Sequence, residues 1–225
     1  MQQPLIVAID GPSGVGKTTT SKLVAQELAI PHIDTGAMYR AIGLAAIRRN
    51  LDLRADAEKL EQLAAGAAIE FLPGDPPRVL LGGEDVTSLI RTPEISMAAS
   101  HVSAVPGVRR VLVQLQQTLG RRNGGVLEGR DIGTKVFPET PHKFFLTARP
   151  EVRARRRHQE LTAKGQTSDL QQVLRETIQR DEQDSTRADS PLTYDATYTV
   201  VDTSDMTISD VVDTIVSSVQ RHGER

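Results

Sequence analysis

Apolar positions along the chain alternate between short unbroken runs and helical stripes. Leu5-Ile6-Val7-Ala8-Ile9 is a continuous apolar run that ends at a Gly-rich turn. That is the pattern of a strand buried on both faces of a parallel sheet. Residues 18–28 place Leu23, Val24 and Leu28 among good helix formers, and Pro31-His32-Ile33-Asp34 predicts a short second strand. Residues 38–49 put Met38, Ile42, Ala45 and Ala46 on one helical face, and 56–65 predict another helix. The texture then changes. Ala68 to Leu72 alternates, residues 73–77 form a Pro/Gly cluster, and Arg78 to Leu81 follows, which predicts an antiparallel hairpin. A helical pattern covers 93–119 with a break at Pro106 and Gly107.

Three more strands are predicted, at 125–128, 143–147 and 197–201, with helices between them. Pro150 suits the first turn of one helix. Ser168 with Gln171 forms a capping box for the next, and Thr207 with Asp210 caps the last. The last helix spaces Ile208, Val211, Val212, Ile215 and Val219 helically. Strands alternating with helices predict an α/β chain around a parallel sheet, with the hairpin as a local insert.

Composition narrows the chemistry. The 225 residues correspond to one chain-length domain with a small insert, free of internal repeats and long linkers. With no cysteine, disulfides, thiolate metal sites and a cysteine nucleophile are excluded. No apolar stretch approaches membrane-spanning length, and the first ten residues lack a basic leader pattern, so a cytoplasmic protein without a membrane partner is expected. A net charge of −2 argues against nucleic acid held by bulk charge. The basic residues are 21 Arg against 6 Lys, and Arg grips carboxylate and phosphate with two parallel bonds.

Gly11-Pro12-Ser13-Gly14-Val15-Gly16-Lys17-Thr18 fits the phosphate-binding loop pattern and sits between a predicted strand and a predicted helix. Backbone N–H groups from Gly11 to Thr19 would close around phosphate oxygens at the helix N-terminus. Lys17 would reach the β and γ phosphates, and Thr18 would supply an oxygen to Mg²⁺ that rides on the nucleotide. No other cofactor is expected. The motif alone leaves kinases, GTPases and motors open. Neither Asn50 nor Asn123 is followed by Lys, so the guanine-reading segment of a GTPase is missing. The nearest Walker B candidate, Val126-Leu127-Glu128, is weak for a motor.

A small-molecule kinase needs a second anionic pocket. Candidates are Asp34 to Arg40 after the second strand, Arg109, the segment Glu128-Gly129-Arg130-Asp131-Ile132-Gly133-Thr134 after a strand, and Arg180, Asp184 and Arg187 at i, i+4, i+7 if that helix continues so far. Arg153, Arg155, Arg156 and Arg157 crowd one helix. They form either a lid over the triphosphate or a solvated face with Glu151 and Glu160 as partners.

Taken together, Ile9 to Thr18, Asp34-Thr35-Gly36-Ala37-Met38-Tyr39-Arg40, Gly83-Glu84-Asp85-Val86-Thr87, Ile90-Arg91-Thr92-Pro93-Glu94, Gly129 to Thr134 and Arg180-Asp181 with Asp184 to Arg187 resemble bacterial cytidylate kinase. They run in the family's order from about residue 4 to 219. The resemblance implies transfer of the γ-phosphoryl group of ATP to CMP or dCMP, with Mg²⁺, by a monomer. It implies a P-loop fold: a five-stranded parallel sheet flanked by helices, with a small antiparallel β insert in the monophosphate-binding domain and a short helical lid. The core would span about 1–35, 120–150 and 185–225, the monophosphate-binding domain about 36–119 and the lid about 151–170.

Carried over by position, Ser100, Arg109 and Asp131 would read cytosine, and Arg180 and Asp184 would hold the ribose hydroxyls. Arg40, Arg130 and Arg187 would hold the acceptor phosphate with Thr35 nearby. Lys17, Arg130 and Arg187, with Arg153 and Arg157 from the lid, would neutralise the transferring group. Lys135 stands where an apolar residue is expected. Two other readings stay open here: a P-loop kinase for UMP or a non-nucleotide alcohol, and a nucleotide-binding switch without a small acceptor.

Overall fold

The computed structural model describes residues 4–72, 74, 77–163 and 165–223. Met1–Gln3 of the leader reading, and Pro73, Asp75 and Pro76 of the hairpin turn, lie outside the described residues. The chain divides into two compact units. One contains the chain up to His32 and from Gly120 onward; the other is Ile33–Leu119.

The first unit is built on β1 (Ile6–Asp10), β6 (Gly125–Gly129), β7 (Lys143–Thr147) and β8 (Thr199–Asp202), which join β2 (His32–Asp34) in a sheet of order β2-β6-β1-β7-β8. The β1–β6, β1–β7 and β7–β8 pairings are parallel. Asp10 and Gly129, the last residues of β1 and β6, lie level, and β7 runs two residues past Phe145, their neighbour, to Thr147. The strand order reverses at β1, and in open α/β sheets ligands bind beyond such carboxyl ends. Val7, Ile9, Val126, Phe144 and Leu146 form the sheet side of the core, against Val24 of α1 (Lys17–Glu27) and Ile215 of α8 (Ile208–Gly223). The unbroken apolar runs in the sequence have this cause: the strands are covered on both faces.

Two further helices complete this unit, α6 (Pro150–Ala163) and α7 (Leu170–Thr186). Asp169, not Ser168, caps α7: its carboxylate accepts the N–H groups of Gln171 and Gln172. Ser168 Oγ turns instead to His158 Nδ1 at 2.9 Å. The aspartate side chain offers one oxygen to each of two N–H groups, where a serine has a single oxygen to offer. At α8 the reciprocal box is present: the Asp210 N–H donates to Thr207 Oγ1, and the Thr207 N–H to Asp210. Residues 132–136 form a single π-type turn that the sequence pattern does not announce. Lys135 in that turn points to solvent, so its charge costs no packing.

In the second unit, α2 (Thr35–Arg48) packs on α4 (Pro93–Ser103) so closely that a Cβ on Gly43 would sit 3.0 Å from that of Ala98. Helix α3 (Ala57–Ala65) and α5 (Pro106–Asn123) follow the predicted pattern, with the break at Pro106 separating α4 from α5. The hairpin strands β3 (Ile69–Leu72) and β4 (Arg78–Leu81) pair antiparallel. A third strand, β5 (Glu84–Asp85), extends them into a three-stranded sheet. Two residues are too few to leave an alternation, so β5 was illegible in the sequence. Among the described residues, no helix is long and apolar enough to cross a membrane.

Candidate active site

The phosphate-binding loop leaves β1 at Gly11, where a Cβ would lie 2.2 Å from the Leu146 carbonyl oxygen of β7. Only glycine allows that approach. Gly16 is the N-cap of α1 and brings no side chain of its own, so the first N–H groups of the helix remain for an anion. Lys17 opens the helix. Its Nζ donates to the Gly11 and Pro12 carbonyls at 2.7 and 2.6 Å, which draws the ammonium across the mouth of the loop. Burial and then the Arg130 guanidinium push its pKa well below the ordinary lysine value, against the opposing pull of Glu128, Asp184 and Asp10. A cation disfavoured in this way gains most from an incoming polyphosphate.

Thr18 Oγ1 donates to Glu128 Oε2 at 2.9 Å, and the other carboxylate oxygen of Glu128 meets His32 Nε2 at 3.0 Å. A hydroxyl and a carboxylate side by side are the hard oxygen donors that suit Mg²⁺. Among the described residues no three His, Cys, Asp or Glu side chains are grouped to hold a metal by themselves. Thr18 and Glu128 are the oxygens of this chain that could hold such an ion. Glu128, in sequence both a weak Walker candidate and the head of the acceptor-side turn, pairs with Thr18 across 110 positions.

The predicted acceptor residues divide between the two units. In the first, Arg130 Nε donates to Asp184 Oδ2 at 2.8 Å, and Arg187 stands 3.9 Å from the other Asp184 oxygen. Burial pushes the Asp184 carboxyl up, but Arg130, Arg180 and Arg187 outweigh it and hold it below the usual carboxylate range. Asp184 is thus an ionised, acceptor-only group among three arginines. Helix α7 ends at Thr186, so Arg187 is not on the helical face that i, i+7 spacing implied. It follows the helix in extended backbone and is fixed by donating from Nε to the Ser190 carbonyl at 2.5 Å. Ser190 itself adopts φ 52°, a left-handed conformation. Asp131 is 6% exposed, directly after Arg130.

In the second unit, Asp34 caps α2 by accepting the Ala37 N–H at 3.1 Å, and its other oxygen accepts from Arg40 at 2.6 Å. Thr35 is buried at the first turn. Arg109 is 2% exposed, donates to the Ser103 carbonyl and lies 5.6 Å over the Tyr39 ring. Ser103 Oγ in turn donates to the Ser100 carbonyl one turn back in α4. Tyr39 belongs to the candidate segment Asp34 to Arg40 and is buried under the Arg109 guanidinium.

The arginines of α6 have separate tasks in this structure. Arg153 is buried. It donates to the Ala148 and Ser13 carbonyls and pairs with Asp181 at 2.5 Å. That places it beneath the phosphate-binding loop. Arg156 donates to Thr203 O and Oγ1, and Thr203 Oγ1 reaches the Val15 carbonyl. Arg157 is partly exposed and pairs with Glu160 at 2.9 Å.

A family model described as cytidylate kinase matches residues 7–221. The cytidylate kinase of Syntrophotalea carbinolica is 49% identical over 221 residues, 97% of this chain and 93% of the relative. That of Solibacter usitatus is 45% identical over 221 residues, 97% and 94% of the two chains. An uncharacterized protein of known structure from Eubacterium ventriosum is 13% identical, covers 97% of this chain and 99% of its own, and superposes with a TM-score of 0.53, a likeness of fold alone.

Proposed function

The chain belongs to the cytidylate kinase family, so its reaction is transfer of the γ-phosphoryl group of ATP to CMP or dCMP, and we propose the following division of labour. The triphosphate lies along Gly11 to Thr19, with Lys17 on its terminal phosphates. Thr18, beside Glu128, would hold the Mg²⁺ that accompanies ATP. That ion, when bound, neutralises charge on the nucleotide's phosphate oxygens. Arg40, Arg130 and Arg187 take the acceptor phosphate, with Thr35 beside them. Arg180 and Asp184 hold the ribose hydroxyls. Asp184 suits that task because its carboxylate stays ionised and accepts from both hydroxyls.

The acceptor is a phosphate monoester with a second pKa near 6, largely dianionic at neutral pH. No strong general base is required. Two polyanions must instead be brought in line, so catalysis consists of positioning and charge neutralisation by Lys17 and the arginines. The observation that carries this reading is the clustering of Lys17, Arg130, Glu128 and Asp184 within one another's electrostatic field at the carboxyl edge of the sheet. Arg153 and Arg157 belong to the lid assignment for 151–170. Arg153 also holds the Ser13 carbonyl of the loop.

Cytosine is read by Asp131, Arg109 and Ser100. A carboxylate accepts from the exocyclic amine, and a guanidinium donates to O2 and N3. Uracil presents a carbonyl where cytosine has its amine, so Asp131 would face an acceptor with an acceptor, a mismatch that discriminates strongly. The enzyme works as a cytoplasmic monomer. The test is ADP release with Mg·ATP against CMP, dCMP, UMP, AMP and GMP, with a no-acceptor control. CMP and dCMP far ahead of UMP is the expected result. Equal CMP and UMP rates would remove the base-reading roles of Asp131 and Arg109, and no acceptor above the control would overturn the kinase reading.

A further inference from the structure

Three donors converge on one fully buried carboxylate that the roles above leave unused. Asp10, the last residue of β1, is 0% exposed. Its Oδ1 accepts the Ile132 N–H at 2.9 Å. Its Oδ2 accepts the Gly133 N–H at 2.9 Å and the Tyr198 hydroxyl at 2.8 Å. Ile132 and Gly133 open the π-type turn, whose i→i+5 closure runs from the Phe137 N–H to the Ile132 carbonyl at 2.7 Å. Such single π turns are rare and gather at functional sites. Here the turn's first N–H groups have Asp10 as their cap.

The tyrosine's approach is built in. A Cβ on Gly133 would lie 2.5 Å from Tyr198 Oη, so the turn needs glycine at the point where the hydroxyl passes. Tyr198 stands just before β8 and is steadied by an edge contact with Phe145, ring centroids 6.3 Å apart, and by Lys143 Nζ 5.9 Å over its ring. In sequence, Asp10 directly precedes Gly11 of the phosphate-binding loop, and Asp131 directly precedes Ile132. One carboxylate therefore ties the donor-side loop to the acceptor-side turn. Burial pushes the Asp10 carboxyl up to about 6, against the help of its hydrogen bonds, so holding it ionised is a cost to the fold. A buried ion that an amide or apolar group could replace is weak evidence for a stability role.

We propose that Asp10 and Tyr198 are positioning residues that lock the Arg130–Thr134 turn to the start of the phosphate-binding loop and so set how sharply Asp131 discriminates cytosine from uracil. The inference rests on the reading of Asp131 as a base reader. Asp10→Asn exchanges one acceptor oxygen for an amide donor, which leaves at least one of the three donors without its partner. Losing one hydrogen bond to a charged group there should raise the CMP KM about tenfold and shrink the CMP-over-UMP preference in kcat/KM by a similar factor. The equilibrium Kd for a fluorescent ATP analogue should move less than the CMP KM, because the three lost or weakened hydrogen bonds are to the turn and to Tyr198 rather than to the loop. Tyr198→Phe keeps both backbone bonds and should shift the same ratios in the same direction by a smaller factor. It carries the test should Asp10→Asn fail to fold.

Asp131→Ala is the control that separates the two layers. Preference lost in Asp131→Ala and weakened in Asp10→Asn and Tyr198→Phe supports the proposal. Preference lost in Asp131→Ala but intact in both other variants, even with a lowered melting temperature, overturns the positioning role alone. Preference intact in Asp131→Ala overturns the base-reading assignment and the inference with it.

Discussion

Lys17 spends its ammonium on two loop carbonyls until a triphosphate arrives, and burial weakens its hold on the proton. In the proposed division of labour, replacing it with Ala removes the charge that the transferring phosphoryl group meets. The expected result is a fall in kcat of about 10²-fold or more, with the CMP KM little changed, read from steady-state kinetics. Arg187→Ala should behave differently, raising the CMP KM as well, because Arg187 sits against Asp184 on the acceptor side. An unchanged KM would take Arg187 out of the acceptor site. Asp10 offers a stability test. Its ordinary pKa of 3.8 rises to about 6 in the fold through burial and then the nearby Asp131, opposed by Ile132, Gly133 and Tyr198. The folded state then binds the proton more tightly than the unfolded chain. Stability from this group is present below about pH 4 and is lost by about 3 kcal/mol as pH rises through 6. Asp10→Asn cannot titrate. Urea melts should therefore show the wild type losing ground to Asp10→Asn between pH 4 and 7.

Local chemistry made most of the elements legible. The apolar run before the loop, the stripe of α8 and its Thr207–Asp210 box are all settled within a few residues, and each appears where the pattern put it. The errors are equally local. Ser168 and Asp169 are both competent caps, and the sequence has no means to show which side chain turns inward. The structure chooses Asp169, so Asp169→Ala should destabilise the protein by about 1 kcal/mol in chemical denaturation, and Ser168→Ala by less. The π turn at 132–136 was invisible because its cap comes from β1 rather than from its own neighbours.

At the scale of the molecule, the candidate acceptor residues belong to two units, Thr35, Arg40, Ser100 and Arg109 to one and Arg130, Asp131, Arg180, Asp184 and Arg187 to the other. Water left beside the triphosphate would hydrolyse it, so water alone should be a poor acceptor of the phosphoryl group. ADP release without CMP should run at a small fraction of the rate with CMP, and a comparable rate would show that acceptor binding is not needed to complete the site. The sequence by itself determined the phosphate-binding loop, the α/β alternation, the antiparallel insert and the family. Each of these is written in residue order within short windows, where backbone preference and apolar spacing act. Only the tertiary structure decided that Thr18 meets Glu128, that Arg153 holds the Ser13 carbonyl, and that Asp10 collects Ile132, Gly133 and Tyr198. Those partners are 110 to 188 positions apart. They meet because β1 lies between β6 and β7, a strand order that apolar patterning leaves free and that only the packing of the complete sheet fixes.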